Sequence, residues 1–114
     1  MIQWNNLTDI NQLETLITNS FKVPQVIFKH STRCSISSMV LARFERFWNL
    51  ESSLVAPHFL DLIANRSLSN TIGTKFDVMH ESPQLLLIQD GVCIYHSSHN
   101  NISVESLNLH LTRK

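Results

Sequence analysis

The sequence is short of cysteine, of net charge and of long apolar runs, and each shortage removes a class of protein. Two cysteines, Cys34 and Cys93, in 114 residues are too few for a disulfide scaffold, so any cysteine function is expected to be chemical rather than structural. Nine basic residues balance nine acidic ones to a formal net charge of zero, which leaves neither the electrostatic footprint of a nucleic-acid binder nor a polybasic membrane patch. No unbroken apolar run is longer than that of Leu85-Leu86-Leu87-Ile88, far short of the roughly 18 residues that a membrane span needs. At the N-terminus, Met1-Ile2-Gln3-Trp4-Asn5-Asn6 has no charged stretch followed by an apolar one, so no secretory signal is read there. The expectation is a cytoplasmic protein with reduced thiols. Repeats, linkers and low-complexity segments are missing as well, and residues 1–114 read as one domain with room for a single core.

What is present alternates helices with strands. Ile10, Leu13, Leu16, Ile17 and Phe21 recur at helical spacing, so a helix is expected from about Asp9 to Phe21, capped by Thr8 or Asp9. Gln25 to Lys29 is β-branched and aromatic and reads as a buried strand. A second helix is expected from Ser35 to Leu50, with Ile36, Met39, Val40, Phe44, Phe47 and Trp48 as a broad apolar stripe assigned to the core. Pro57 to Ile63 reads as another strand, and Ser67 to Phe76 as a helix weakened by Gly73. Two further runs, Gln84 to Gln89 and Val92 to His96, are joined by Asp90-Gly91, a strong hairpin signal. Ser103 as an N-cap makes the tail to Leu111 a helix rather than a strand. Crossovers through helices make the first strands parallel, and the hairpin supplies an antiparallel pair. The fold class expected is α/β, a thioredoxin-like fold with a central mixed four-stranded sheet flanked by helices.

The stretch Phe28-Lys29-His30-Ser31-Thr32-Arg33-Cys34-Ser35-Ile36-Ser37-Ser38 is where the chemistry is sought. A strand ends in a polar turn that delivers one cysteine to the start of a helix. The thiolate is the nucleophile, and a free cysteine supplies only about 3% of it at neutral pH. A helix N-terminus, with unpaired N–H groups and partial positive charge, stabilises that anion, and Arg33 adds a full charge beside it. Ser37 stands three residues on, where a dithiol motif would have its second cysteine, and can aim a hydroxyl or N–H at the sulfur.

These residues, with Val78-Met79-His80-Glu81-Ser82-Pro83-Gln84 and His96-Ser97-Ser98-His99, resemble the monothiol bacilliredoxin family over nearly the whole chain from Trp4. The resemblance implies a thioredoxin-like fold and a thiol–disulfide oxidoreductase that uses Cys34 to take bacillithiol, or another low-molecular-weight thiol, off protein mixed disulfides. It implies Cys34 as nucleophile, Ser37 in place of the resolving cysteine, Pro83 as a cis-proline facing the cysteine, and Ser82 pairing with substrate backbone. The co-substrate implied is the small thiol, with no tightly bound cofactor and no metal, and the partners are S-thiolated proteins. The family site reads Thr-Cys-Pro-Ile, so Arg33 and Ser35 depart from it. Without the proline the first helical turn is expected to be looser, and Arg33 is expected to favour the thiolate further; both departures bear on substrate preference more than on chemistry.

Other readings stand beside this one. A monothiol glutaredoxin would use Cys-x-x-Ser to hold an iron–sulfur cluster with glutathione, but Ser35-Ile36 replaces its Gly-Phe, and Ser97-Ser98-His99 stands where its Gly-Gly pair would be. A non-catalytic thioredoxin-fold adaptor would leave Cys34 idle. Cys93, in a predicted core strand, is expected to pack rather than to resolve a disulfide. His96 and His99 lack a recognisable metal spacing, while His30, His80 and Glu81 could assist the site or serve only structure.

Overall fold

The computed structural model describes residues 1–111. Five strands form one sheet in the order β1-β3-β2-β4-β5, where β1 is Asn5–Asn6, β2 Gln25–His30, β3 Ala56–Asp61, β4 Gln84–Gln89 and β5 Val92–Ser98. The helices are α1 Ile10–Asn19, α2 Ser35–Phe47, α3 Arg66–Phe76 and α4 Val104–His110. β1 and β2 both pair with β3 in parallel, and β4 pairs antiparallel with β2 and β5. The thioredoxin-like α/β class is as expected. The sheet has one strand more than expected, because β1 spans two residues, too few for any alternation to show in sequence.

Strand alternation sorts the apolar residues to two faces. Val26, Phe28, Leu85 and Leu87 meet Val40 and Phe44 of α2 and Val104 and Leu107 of α4. Ile27, Leu86 and Ile88 meet Leu13 and Leu16 of α1 and Leu68, Ile72 and Phe76 of α3. β2 and β4 are therefore buried on both faces, which is why they read as unbroken apolar runs. Each fully buried aliphatic or aromatic side chain contributes about 1.5–3 kcal/mol.

Local signals set the element ends. Asp9 caps α1 with a reciprocal box to Gln12, and the Ser103 hydroxyl accepts the Ser106 N–H at the start of α4. The helix α3 runs through Gly73, where a side chain would meet the Val78 carbonyl at 3.0 Å. At the hairpin, Asp90 and Gly91 take φ of 54° and 81°, the left-handed pair that such a turn demands.

The apolar stripes needed correction. Ile10 and Phe21 are exposed in the first helical stretch, and Ile36, Met39 and Phe47 of α2 are exposed, not core. The stripe on α2 is wider than the sheet face that it covers, so of its apolar residues within the helix only Val40 and Phe44 are buried. Phe21 lies beyond the end of α1 and packs on the hairpin turn, where a side chain on Gly91 would come within 3.0 Å of its ring.

Candidate active site

The last residues of β2, Lys29 and His30, and Ser31 just beyond it are all buried, and the chain then turns sharply, the Cys34 N–H donating to the Ser31 carbonyl at 3.2 Å. Thr32 and Arg33 stand exposed on this turn. Cys34 is the N-cap of α2, one place before the first helical turn, with extended φ and ψ of −114° and 118°. Its carbonyl accepts the Ser38 N–H at 3.1 Å, while its side chain makes no cap hydrogen bond. A half-buried thiol at a helix N-terminus, uncommitted to the backbone, is the arrangement in which an anion meets unpaired N–H groups.

Ser37 does not point its hydroxyl at solvent. It is fully buried, and its Oγ accepts the Ser31 N–H at 3.1 Å and lies 2.7 Å from His30 Nδ1. The residue in the place of a second thiol thus ties the turn carrying Cys34 to the end of β2. Burial holds His30 below the ordinary histidine value, against opposing pulls from Asp61 and Glu45.

The second half of the site arrives from β4. The Ser82–Pro83 peptide is cis, and Gln84 pairs with Lys29, so Pro83 stands at the same end of the sheet as His30 and the Cys34 turn. The Pro83 carbonyl accepts the His99 N–H at 3.0 Å, and Gln84 Nε2 donates to the Met79 carbonyl at 3.0 Å. Ser82 Oγ is buried without a hydrogen-bond partner among the described residues. Glu81 accepts from the Ser98 hydroxyl at 3.0 Å and lies 3.8 Å from His99 Nδ1. On the other sheet face, Lys29 donates to the Ser69 carbonyl at 3.2 Å, and burial pushes its ammonium down to about 8. His80 sits 3.5 Å from Ser69 Oγ and is held low by burial first, then by Lys29 and Arg66.

Of the residues singled out in sequence, Cys34, Arg33, Ser37, Ser82 and Pro83 therefore gather at one end of the sheet, with Arg33 the most open to solvent. The tie between His30 and Ser37 leaves one mark in the sequence, a polar residue at the end of an apolar strand. Nothing in the sequence marks Lys29 as a buried cation.

Cys93 is elsewhere. It pairs with Ile88, which pairs with Gln25 at the opposite end of β2. Five residue steps put the two cysteines on the order of 15 Å apart along the strands, beyond the roughly 7 Å between Cα atoms that a disulfide spans. The Cys93 thiol donates to the Tyr95 carbonyl at 3.3 Å, and burial raises its pKa. A groove of about 780 Å³, lined by Asn5, Gln12, Gln25 and His58, also lies away from Cys34. Among the described residues there is no group of three or more histidine, cysteine or acidic side chains placed to hold a metal, and no helix long and apolar enough to cross a membrane.

Comparison with known proteins agrees with this geometry. A family model described as monothiol bacilliredoxin BrxC matches residues 5–107. Among solved structures, a candidate oxidoreductase with a thioredoxin fold is 30% identical with a TM-score of 0.79, over 92% of this chain and 90% of the other. Thioredoxin from Malassezia sympodialis is 15% identical with a TM-score of 0.76, over 98% and 94%. Thioredoxin from Fasciola hepatica is 19% identical with a TM-score of 0.70, over 93% and 98%; these last two likenesses concern the fold.

Proposed function

The chain belongs to the monothiol bacilliredoxin family, a thiol-redox family of thioredoxin fold, and from that premise we propose that it removes a low-molecular-weight thiol, bacillithiol in the first instance, from protein mixed disulfides through Cys34. The observation that carries this reading is the uncommitted Cys34 side chain at the N-cap of α2, at one end of the sheet, with the only other cysteine out of disulfide reach.

The chemistry is two thiol–disulfide exchanges. The Cys34 thiolate attacks the small-thiol sulfur of a protein–S–S–thiol bond; a new S–S bond forms on Cys34, the old one breaks, and the protein leaves as a thiolate that takes a proton from water. A second small-thiol thiolate, or a dithiol partner, then attacks the disulfide on Cys34 and leaves with the first small thiol, returning Cys34 as thiolate. No net redox equivalent remains on the protein. Ser37 cannot close a disulfide with Cys34, so the mixed disulfide persists until an external thiol arrives. Arg33, exposed on the turn, adds positive charge for the attacking and departing thiolates. In this reading the backbone at Ser82, before the cis Pro83, pairs with an extended substrate segment.

Intact mass after mixing reduced protein with bacillithiol disulfide, and separately with glutathione disulfide, tests the proposal. One adduct that is lost in Cys34→Ser, kept in Cys93→Ser and formed faster with bacillithiol is expected. No adduct on Cys34 with either disulfide would sink the exchange mechanism, and equal rates would sink the preference for bacillithiol.

A further inference from the structure

The exchange chemistry leaves one contact at this site unused. Ser37 is fully buried and His30 only 6% exposed, and the Ser37 hydroxyl has one proton and two lone pairs to distribute. The Ser31 N–H, at 3.1 Å, takes one lone pair. The imidazole, 2.7 Å away, governs the rest. With Nδ1 bare, the hydroxyl donates its proton to the ring. With a hydrogen on Nδ1, the ring donates to the second lone pair of Oγ, and the hydroxyl proton has to point elsewhere. Cys34 is the N-cap of α2 and Ser37 its third residue, three apart and so on the same side of the first helical turn. The Cys34 side chain makes no cap hydrogen bond of its own.

We propose that His30 is a positioning residue for Cys34 that acts through Ser37: a hydrogen on Nδ1 turns the Ser37 hydroxyl away from the ring and toward the Cys34 sulfur, where it stabilises the thiolate. This rests on Cys34 being the reacting thiol and adds to it a means of control. The charged groups facing the ring are Asp61, its register partner on β3, and Glu45 on α2; Phe59 lies against it at 5.6 Å between ring centroids. Both carboxylates favour a charged ring, but burial opposes them and is the larger effect. The resting ring is therefore neutral at physiological pH, and in this proposal its hydrogen is on Nε2 while the Ser37 hydroxyl donates a hydrogen bond to Nδ1. Formation of the thiolate, whose own proton goes to water, draws the Ser37 hydroxyl proton toward sulfur as a hydrogen bond; Nδ1 then takes a proton from water and Nε2 gives one back to water, so the ring stays neutral. S-thiolation removes the negative charge and restores the resting arrangement. Linkage makes the effect reciprocal: whatever the ring does to the sulfur, the sulfur does to the ring.

Nitrogen-15 NMR of the histidine rings distinguishes the two tautomers. His30 is followed across the pH range in which Cys34 ionises, in reduced protein and in protein whose Cys34 carries a methylthio group from methyl methanethiosulfonate, both in a Cys93→Ser background. In reduced protein Nδ1 is expected to gain its hydrogen as the thiolate forms; in the methylthio form Nε2 is expected to keep it throughout. Identical ring-nitrogen shifts in the two forms at every pH would overturn the proposal. Ser37→Ala is expected to make the ring indifferent to the sulfur and to slow Cys34 alkylation at neutral pH by about tenfold, the worth of one hydrogen bond to a charged group. A ring that still follows the sulfur in Ser37→Ala would overturn the route through Ser37. The comparison of the two sulfur states needs no substitution at the site, so it stands if Ser37→Ala fails to fold. Methylthiolation needs no exchange partner, so the result is readable even if bacillithiol exchange fails.

Discussion

The two ends of the sheet each hold a cysteine, and they treat it differently. At the end formed by His30, Asp61 and Pro83, the chain leaves the strands in loops and helix starts, and Cys34 sits on one of them with its side chain outside any cap. At the other end, polar groups are tied to one another: His58 Nε2 lies 2.7 Å from Gln25 Oε1, the Ser20 hydroxyl accepts the Gly91 N–H at 2.9 Å, and Cys93 donates to the Tyr95 carbonyl. Both thiols are half-buried, so exposure does not separate them. What separates them is commitment: one sulfur lies where backbone donors converge, the other already has an acceptor and packs against the core.

Breaking that contrast should have its largest effect on labelling. With iodoacetamide at neutral pH, native protein is expected to be modified at Cys34 almost to completion before Cys93 reacts, as read by peptide mapping. In denaturant both should react together. Since burial raises the Cys93 thiol above its ordinary value, its native labelling should set in at more alkaline pH than its unfolded labelling. Equal native rates at neutral pH would erase the distinction between the two ends.

A smaller effect belongs to the tied end. Burial lowers His58 from 6.5 to about 4, so between these values the unfolded chain binds the proton and the folded one resists it. Stability is therefore complete above about pH 6.5 and falls by about 3 kcal/mol as the pH drops to about 4. Urea denaturation of wild type and His58→Gln at several pH values checks this; an unchanged acid slope in the variant would show that His58 is not the group responsible. Exchange at Cys34 should be untouched by the same substitution.

The least disruptive test is Gly91→Ala. Gly91 has φ of +81° and no room beside Phe21, so the variant should lose about 1–2 kcal/mol, seen as a lower Tm, with Cys34 alkylation unchanged at 25 °C. A matching loss of Cys34 reactivity would mean that the two ends are coupled.

Much of this was legible because the signals are local. Alternation and helical spacing placed the four main strands and the helices; Asp9, Ser103 and Asp90-Gly91 marked where elements begin or turn. The strand-turn-helix carrying Cys34 could be read from polarity alone. The exposed Ile36, Met39 and Phe47 could not, since an apolar stripe does not state how wide a face its partner offers. Nor could β1, whose two residues pair only because β3 passes beside them.

What the order of residues determined by itself is the set of local preferences: which segments coil or extend, where they cap, and that one cysteine begins a helix. Only the tertiary structure decided that Ser37 turns inward to His30, that Lys29 is buried beneath α3, and that Cys93 lies a strand's length from Cys34. Those outcomes depend on which faces meet after the sheet is assembled, and contacts between residues distant in the chain leave no period or spacing in the sequence.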